Sequence, residues 1–274
     1  MDLFQRINNL YDQLPKKKQK IARYFLDEWQ KASFYSIRQI AEQLGVSVSL
    51  IVQFCLQLGY SGFQEAKEEL QGITSVHMGR HERLLRQQDD QPIPRKVLHT
   101  ELANLEQTFL ANSPETFAAA AQLLAGARRI YVYGSRTTGA IASILAMHLN
   151  ELSGNTLFLG NMMGAEYDYL RNLSEEDVFV AVTIPRYAAP TYQTTNYVYT
   201  NCNAKILVLT DKRSAPVARM ATHALFACTE SASFTYSQQG VLLLVNTLIA
   251  MTADIIGESA YENLKKQDSL DFLL

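Results

Sequence analysis

The feature that most constrains this chain is a change of period at Arg129. Beyond it, short apolar runs rich in β-formers alternate with helical stretches. The strands are expected at Ile130–Gly134 (IYVYG), Asn155–Leu159, Asp177–Thr183 (DVFVAVT), Lys205–Thr210 (KILVLT) and His223–Ala227. Between and after them lie helical segments at Thr138–Leu152, Ala189–Asn201, Pro216–Met220 and Ser237–Ile256. Continuous apolar strands separated by helices predict a five-stranded parallel sheet covered on both faces.

Before Arg129 the pattern is helical throughout. Pro15 opens KKKQKIARYFLDEWQKA, with Ile21, Tyr24, Phe25, Leu26 and Trp29 as an apolar stripe. SIRQIAEQL follows, with Ser36 as N-cap, Ile37, Ile40, Ala41 and Leu44 on one face, and Gly45 as the stop. Ser47 then caps Val48–Leu58, which ends at Gly59, and a fourth helix is expected over Phe63–Leu70. Residues 86–96 (RQQDDQPIPRK) read as a polar joint, followed by helices at Lys96–Ala111 and Glu115–Ala125, the latter capped by Ser113 with Pro114 at its first position. The boundaries are therefore an all-helical head over 1–76, a helical linker over 77–112 and an α/β domain over 113–274.

Composition narrows the class. At 274 residues, with 47% hydrophobic and 19% charged, the chain can build packed cores, and wholesale disorder is excluded. The longest apolar run, Val241–Met251, is interrupted by Asn246 and falls short of the roughly 20 residues of a membrane helix. Three scattered cysteines and widely spaced histidines (His77, His81, His99) offer no disulfide framework and no metal site. The expectation is a cytoplasmic protein without cofactor or membrane. Residues 1–76 carry nine Lys/Arg against eight Asp/Glu, and the remainder 16 against 19, an asymmetry in the direction of a nucleic-acid-binding head.

Helix, glycine turn, helix is the layout of a DNA-binding helix-turn-helix, or of an ordinary capped bundle. For DNA, the hydroxyls of Ser47 and Ser49 open the second helix, and Gln53 can pair with adenine. Phosphate charge would be met by Lys16, Lys17, Lys18, Lys20, Arg23 and Arg38, because Val48–Leu58 contains no Lys or Arg. Residues 1–76 resemble the N-terminal helix-turn-helix domain of RpiR-type bacterial transcription regulators. Ile37, Ile40-Ala41, Leu44-Gly45-Val46-Ser47, Val52, Phe54-Cys55 and the run Leu58-Gly59-Tyr60-Ser61-Gly62-Phe63 carry that resemblance. The family usually has arginine before that phenylalanine, where this chain has Gln53.

In the second half, Gly134-Ser135-Arg136-Thr137-Thr138-Gly139 joins a strand to a helix. Free N–H groups there, the hydroxyls of Ser135, Thr137 and Thr138, and the charge of Arg136 suit an anion. The sequence is neither GxGxxG nor a P-loop. Residues 115–256 resemble a sugar isomerase (SIS) domain, a phosphosugar-binding α/β fold, with Thr138 in place of the usual serine of the first ligand loop. In the second ligand loop the usual serine and glycine are replaced by Pro185 and Arg186, within Thr183-Ile184-Pro185-Arg186-Tyr187. Proline removes an N–H donor, while arginine brings a bidentate guanidinium. Thr210 and Asp211 end a strand, with Asp211 expected as a turn cap.

Together the resemblances imply a regulator that binds a double-stranded operator and senses a small anionic metabolite, acting as a homodimer or homotetramer without catalysis. The alternatives are an SIS-type sugar-phosphate isomerase with a helical oligomerisation head, and a regulator that has lost its ligand. For an isomerase, Glu166, Glu230, His148 and His223 are acid/base candidates by chemistry alone.

Overall fold

The computed structural model describes residues 3–28, 32, 35–77, 92–160 and 164–269. Trp29, His81 and the first part of the polar joint, residues 86–91, lie outside them. The chain divides into two compact units, Met1–Gly79 and Arg80–Leu274.

The first unit contains α1 (Leu3–Leu10), α2 (Lys16–Asp27), α3 (Ile37–Leu44), α4 (Val48–Gln57) and α5 (Phe63–His77). Helix α1 was not expected, and α5 runs seven residues beyond the Leu70 anticipated from sequence. Ser36 caps α3 in a capping box with Gln39, and Gly45 takes the left-handed conformation at φ 60° that ends it. Ser47 accepts the Leu50 N–H and starts α4. The core is aromatic at its centre. Phe25 meets Phe54 at 5.9 Å and Phe63 edge-on at 6.5 Å between ring centroids.

The Leu58–Phe63 run closes this unit. The Tyr60 hydroxyl donates to Glu69 at 2.7 Å, the Arg6 guanidinium lies 4.7 Å from the Tyr60 ring, and Arg6 also donates to the Leu58 carbonyl. These residues secure the packing around α4 and α5, and they leave the outer face of α4 to other residues.

The second unit is an α/β sandwich. After α6 (Ile93–Leu110) and α7 (Pro114–Ala125) come β1 (Ile130–Gly134), α8 (Thr137–Ser153), β2 (Thr156–Phe158), α9 (Glu166–Leu170), β3 (Val178–Val182) and α10 (Ala189–Asn201). Then follow β4 (Lys205–Thr210), β5 (His223–Phe226), α11 (Gln239–Ile256) and α12 (Glu258–Asp268). The five strands are parallel in the order β2-β1-β3-β4-β5.

Alternation splits the strands cleanly. Ile130, Val132, Val178, Val180, Val182, Leu207 and Leu209 face one apolar layer with α7, α8 and α11. Tyr131, Tyr133, Phe179, Ala181, Ile206 and Val208 face the other, with α9 and α10. Short α9 and polar α12 were not expected, and the helix anticipated at Pro216–Met220 shrinks to a 3-10 turn at Ala218–Met220. Helix α11 outruns its apolar stretch and is, by length and composition, long enough to cross a bilayer. Its Val241, Leu244, Val245 and Leu248 are fully buried in the sandwich core.

From Ile93 onward, the expected linker is docked on this second unit. Asn112 donates to the Phe226 carbonyl at 2.7 Å and accepts the Phe226 N–H at 2.8 Å, as a neighbouring strand would. One turn back, the Thr108 hydroxyl accepts the Cys228 N–H, and another turn back Asn104 donates to the Glu230 carbonyl. The spacings agree: four helical residues rise about 6 Å, and two extended residues about 6.6 Å. This polar ladder pairs the last residue of β5 and the backbone of the segment beyond it.

Candidate functional site: two loops at the carboxyl edge of the sheet

In open parallel sheets, ligands bind beyond the carboxyl ends of the strands, where the strand order reverses. Here the reversal falls between β1 and β3, and the loops that follow these two strands start side by side, with Gly134 paired to Val182. Gly134 lets the first loop fold tightly, because a Cβ on it would lie 2.7 Å from the Thr138 carbonyl oxygen. Thr138 is buried and donates its hydroxyl to the Ser135 carbonyl at 3.0 Å. Ser135 and Thr191, on α10, share a hydrogen bond of 2.9 Å across the reversal. Thr137 and Arg136 are exposed, and α8 begins without any side-chain cap. Its first N–H groups therefore have no side-chain acceptor, the arrangement that favours an anion.

The second loop is built otherwise. Thr183 is buried and donates its N–H to the Leu209 carbonyl, prolonging the sheet. Pro185 is buried and Arg186 is exposed, and Tyr187 donates its hydroxyl to Asp211 Oδ1 at 2.8 Å. Asp211, expected as a turn cap, instead receives that phenol, along with the Thr210 hydroxyl at 3.3 Å. Burial pushes the Asp211 carboxyl up from its ordinary value, and the Tyr187 hydrogen bond partly offsets this. Burial, with the neighbouring Asp211 charge, drives the Tyr187 phenol far upward, so it remains a donor at any physiological pH.

Among the described residues, three non-glycine residues have positive φ: Arg136 at 60°, Arg186 at 79° and Tyr187 at 28°. All three lie in these two loops. Such backbone costs about 1–3 kcal/mol per residue and gathers at functional sites. No hydrogen bond or ion pair ties down either guanidinium among the described residues.

The acid/base candidates do not converge. His148 pairs with Glu151 at 2.8 Å, about 16 Å along α8 from its start. His223 opens β5 at the opposite edge of the sheet, and Glu166 accepts the Gly164 N–H at 2.8 Å. Asn104 donates to the Glu230 backbone carbonyl, in the segment beyond β5. Sequence reasoning missed Thr191, Thr194 and Thr195, a buried threonine stripe on α10. Its i, i+3, i+4 spacing was visible, but only the fold shows that it faces β1.

In the first unit, α3 and α4 meet at 106°, within the range of a helix-turn-helix. Ile51, Phe54 and Cys55 face inward, while Ser49, Gln53, Leu56 and Gln57 form the outer face of α4. Ser47 and Ser49 hydrogen-bond to each other at 3.0 Å at the start of α4. Lys18 donates to Gln57 at 2.6 Å, bringing a positive charge to the uncharged helix. Lys16 and Lys17 are exposed in the first turn of α2, where the helix dipole disfavours cations. Lysines kept there at a cost to the helix suit a phosphate surface. Arg38 is exposed on α3, whereas Lys20 donates to the Leu44 carbonyl and Arg23 to the Tyr11 hydroxyl.

Residues 1–76 match the rpiR-family helix-turn-helix domain, and residues 123–251 match the SIS domain. The chain is an RpiR-type regulator, a helix-turn-helix domain joined to a SIS domain. An HTH-type transcriptional regulator of Haemophilus influenzae is 27% identical, over 82% of this chain and 79% of its own length. HexR of Pseudomonas aeruginosa, also an HTH-type transcriptional regulator, is 27% identical over 52% of this chain and 50% of its own. The sugar isomerase domain of an RpiR transcription factor from Sphaerobacter thermophilus superposes with a TM-score of 0.62 at 29% identity, covering 66% of this chain and 100% of that one. NanR of Vibrio vulnificus, solved in complex with ManNAc-6P, has the same fold at TM-score 0.62 and 18% identity, over 100% of this chain and 99% of its own.

Proposed function

We propose that this RpiR-type regulator binds a roughly palindromic operator through α4 and releases or tightens it when a small anionic metabolite, phosphorylated or carboxylated, occupies the two loops. The observation that carries this reading is the concentration of strained backbone in the loops on either side of the strand reversal, with an exposed arginine in each. Ser135, Arg136, Thr137, Thr138, Thr183 and Arg186 are the ligand-facing set, and Tyr187 is held beside them by Asp211. That NanR binds a phosphosugar on this fold supports the phosphorylated class. On the DNA side, Ser47, Ser49 and Gln53 read the major groove, while Lys16, Lys17, Lys18 and Arg38 neutralise phosphates. The reading includes a cytoplasmic homodimer or homotetramer and no catalytic turnover.

The test is selection of genomic fragments on the purified full chain, then affinity for the winners against salt. A palindromic motif and a steep salt slope are expected, and Lys16→Ala should lower that slope by about one per head. Gln53→Ala should relax preference at one position per half-site by about tenfold. Turnover of sugar phosphates without DNA affinity would overturn the reading. Thermal shift with inorganic phosphate and a panel of sugar phosphates then tests the loops. Any stabilisation should vanish in Arg186→Ala while operator affinity is retained.

A further inference from the structure

Helix α6 is amphipathic in the opposite sense to an ordinary surface helix. Its inward face is polar, because Asn104 and Thr108 serve the backbone beyond β5. Its outward face carries Leu98, Leu102 and Phe109, exposed by 57%, 55% and 62%, with half-buried Leu105 in the same row. The intervals 98–102–105–109 are four, three and four residues, the spacing of a two-helix seam; Ile93, Val97 and Leu110 are also exposed on this helix but lie off the row. A row of this kind on one helix marks an interaction surface.

Charge indicates what covers it. Arg95, Lys96 and His99 precede the middle of the row and Glu106 follows it, while Glu101 is turned inward to the Ser237 hydroxyl. Antiparallel pairing of two such helices sets each basic half beside the other's acidic half, and it also opposes their dipoles. Parallel pairing would align like charges. The seam is self-complementary about its midpoint: reversing the order of 98, 102, 105 and 109 gives the same intervals, as a two-fold axis requires.

We propose that the outward face of α6 packs antiparallel against α6 of a second copy of this chain, with Leu98 beside the partner's Phe109 and the axis near Leu102–Leu105. The proposal rests on the oligomeric reading above and gives it a location. The stretch expected to be a linker is then a dimerisation helix that also holds the segment following β5, so the subunit contact is tied directly to that segment.

Two measurements on the full chain test this. Light scattering of Leu102→Glu should give half the molecular mass of the wild type, with circular dichroism and thermal midpoint retained, since Leu102 is exposed within one chain. Disulfide trapping uses Leu98→Cys and Phe109→Cys chains in a Cys202→Ser, Cys228→Ser background, with copper–phenanthroline as oxidant. The mixture should cross-link far more than either chain alone. Self-linking of Leu98→Cys alone would overturn the antiparallel arrangement. A Leu102→Glu chain that keeps wild-type mass and gives no mixed cross-link would overturn the interface and leave the regulator reading intact. A wild-type chain that is monomeric at all concentrations would overturn the oligomeric reading as well.

Discussion

The two loops at the carboxyl edge of the sheet occupy equivalent places and are built on different principles. The first is closed by its own backbone and small hydroxyls: Gly134 against Thr138, Thr138 on the Ser135 carbonyl, Ser135 on Thr191. The second is closed by a long-range anchor, a half-buried tyrosine on a half-buried carboxylate 24 residues away, around a proline that donates nothing. Both loops leave an exposed guanidinium, Arg136 in the first and Arg186 in the second. The difference lies in what holds each loop: local backbone and hydroxyls in the first, a long-range side-chain anchor in the second.

The largest break in this comparison should come from Gly134→Ala. The added methyl meets backbone, not the end of a flexible side chain, so either β1 or the start of α8 must move. We expect a loss of about 1–3 kcal/mol in stability by urea denaturation, and at least a tenfold loss in any anion response. A wild-type denaturation midpoint would show that the first loop is not held by close approach. Tyr187→Phe should come next, because it leaves the half-buried Asp211 carboxylate without its phenol donor. The expected cost is about 1–3 kcal/mol in the same measurement, with the first loop's response altered less than the second's.

Asp211→Asn separates the anchor's charge from its geometry. The Asp211 carboxyl is raised by burial, so its contribution is most favourable below its unfolded value near 3.8 and is lost as pH rises through the folded value. Asparagine still accepts the Tyr187 hydroxyl and does not ionise. The variant should therefore gain stability relative to wild type as pH rises through that window. Thermal midpoints of the two chains that run parallel from pH 4 to 8 would exclude a titrating Asp211 as part of the anchor.

How much of this was legible in sequence varies with the range of the interaction. Strands β1 and β4 and helix α10 match their expected limits residue for residue, because each is a compact apolar run or carries its own stop signal. Helix α12 was missed because Ala260 is its one buried residue and its pattern is polar, and α9 because five residues hold too little periodicity. The two loops were picked out from glycine and hydroxyl content. Their anchors were not, since Tyr187–Asp211 and Ser135–Thr191 are made by the parallel crossovers and have no local signature. Helix α6 was the opposite case: its limits were nearly right, but its apolar row points away from its own sheet because the polar ladder at 104, 108 and 112 occupies the near side.

The finest test of the two building principles is Ser135→Ala. Ser135 and Thr191 satisfy each other in a half-buried setting, and Thr191 also gives its carbonyl to the Thr195 hydroxyl. Removing the Ser135 hydroxyl leaves the fully buried Thr191 hydroxyl without this partner, so the cost should be about 1–2 kcal/mol, still below that of Tyr187→Phe, which strands a carboxylate. Combined with Tyr187→Phe, the two losses should add to within about 0.5 kcal/mol if the loops are closed independently. A larger coupling would mean that the hydroxyl on α10 and the phenol anchor hold one shared element, the turn Pro185–Ala188 that leads into α10. In that event the second loop would owe its strained backbone partly to the first. The double-mutant cycle, read by urea denaturation with and without phosphate, distinguishes two separate loops from one site.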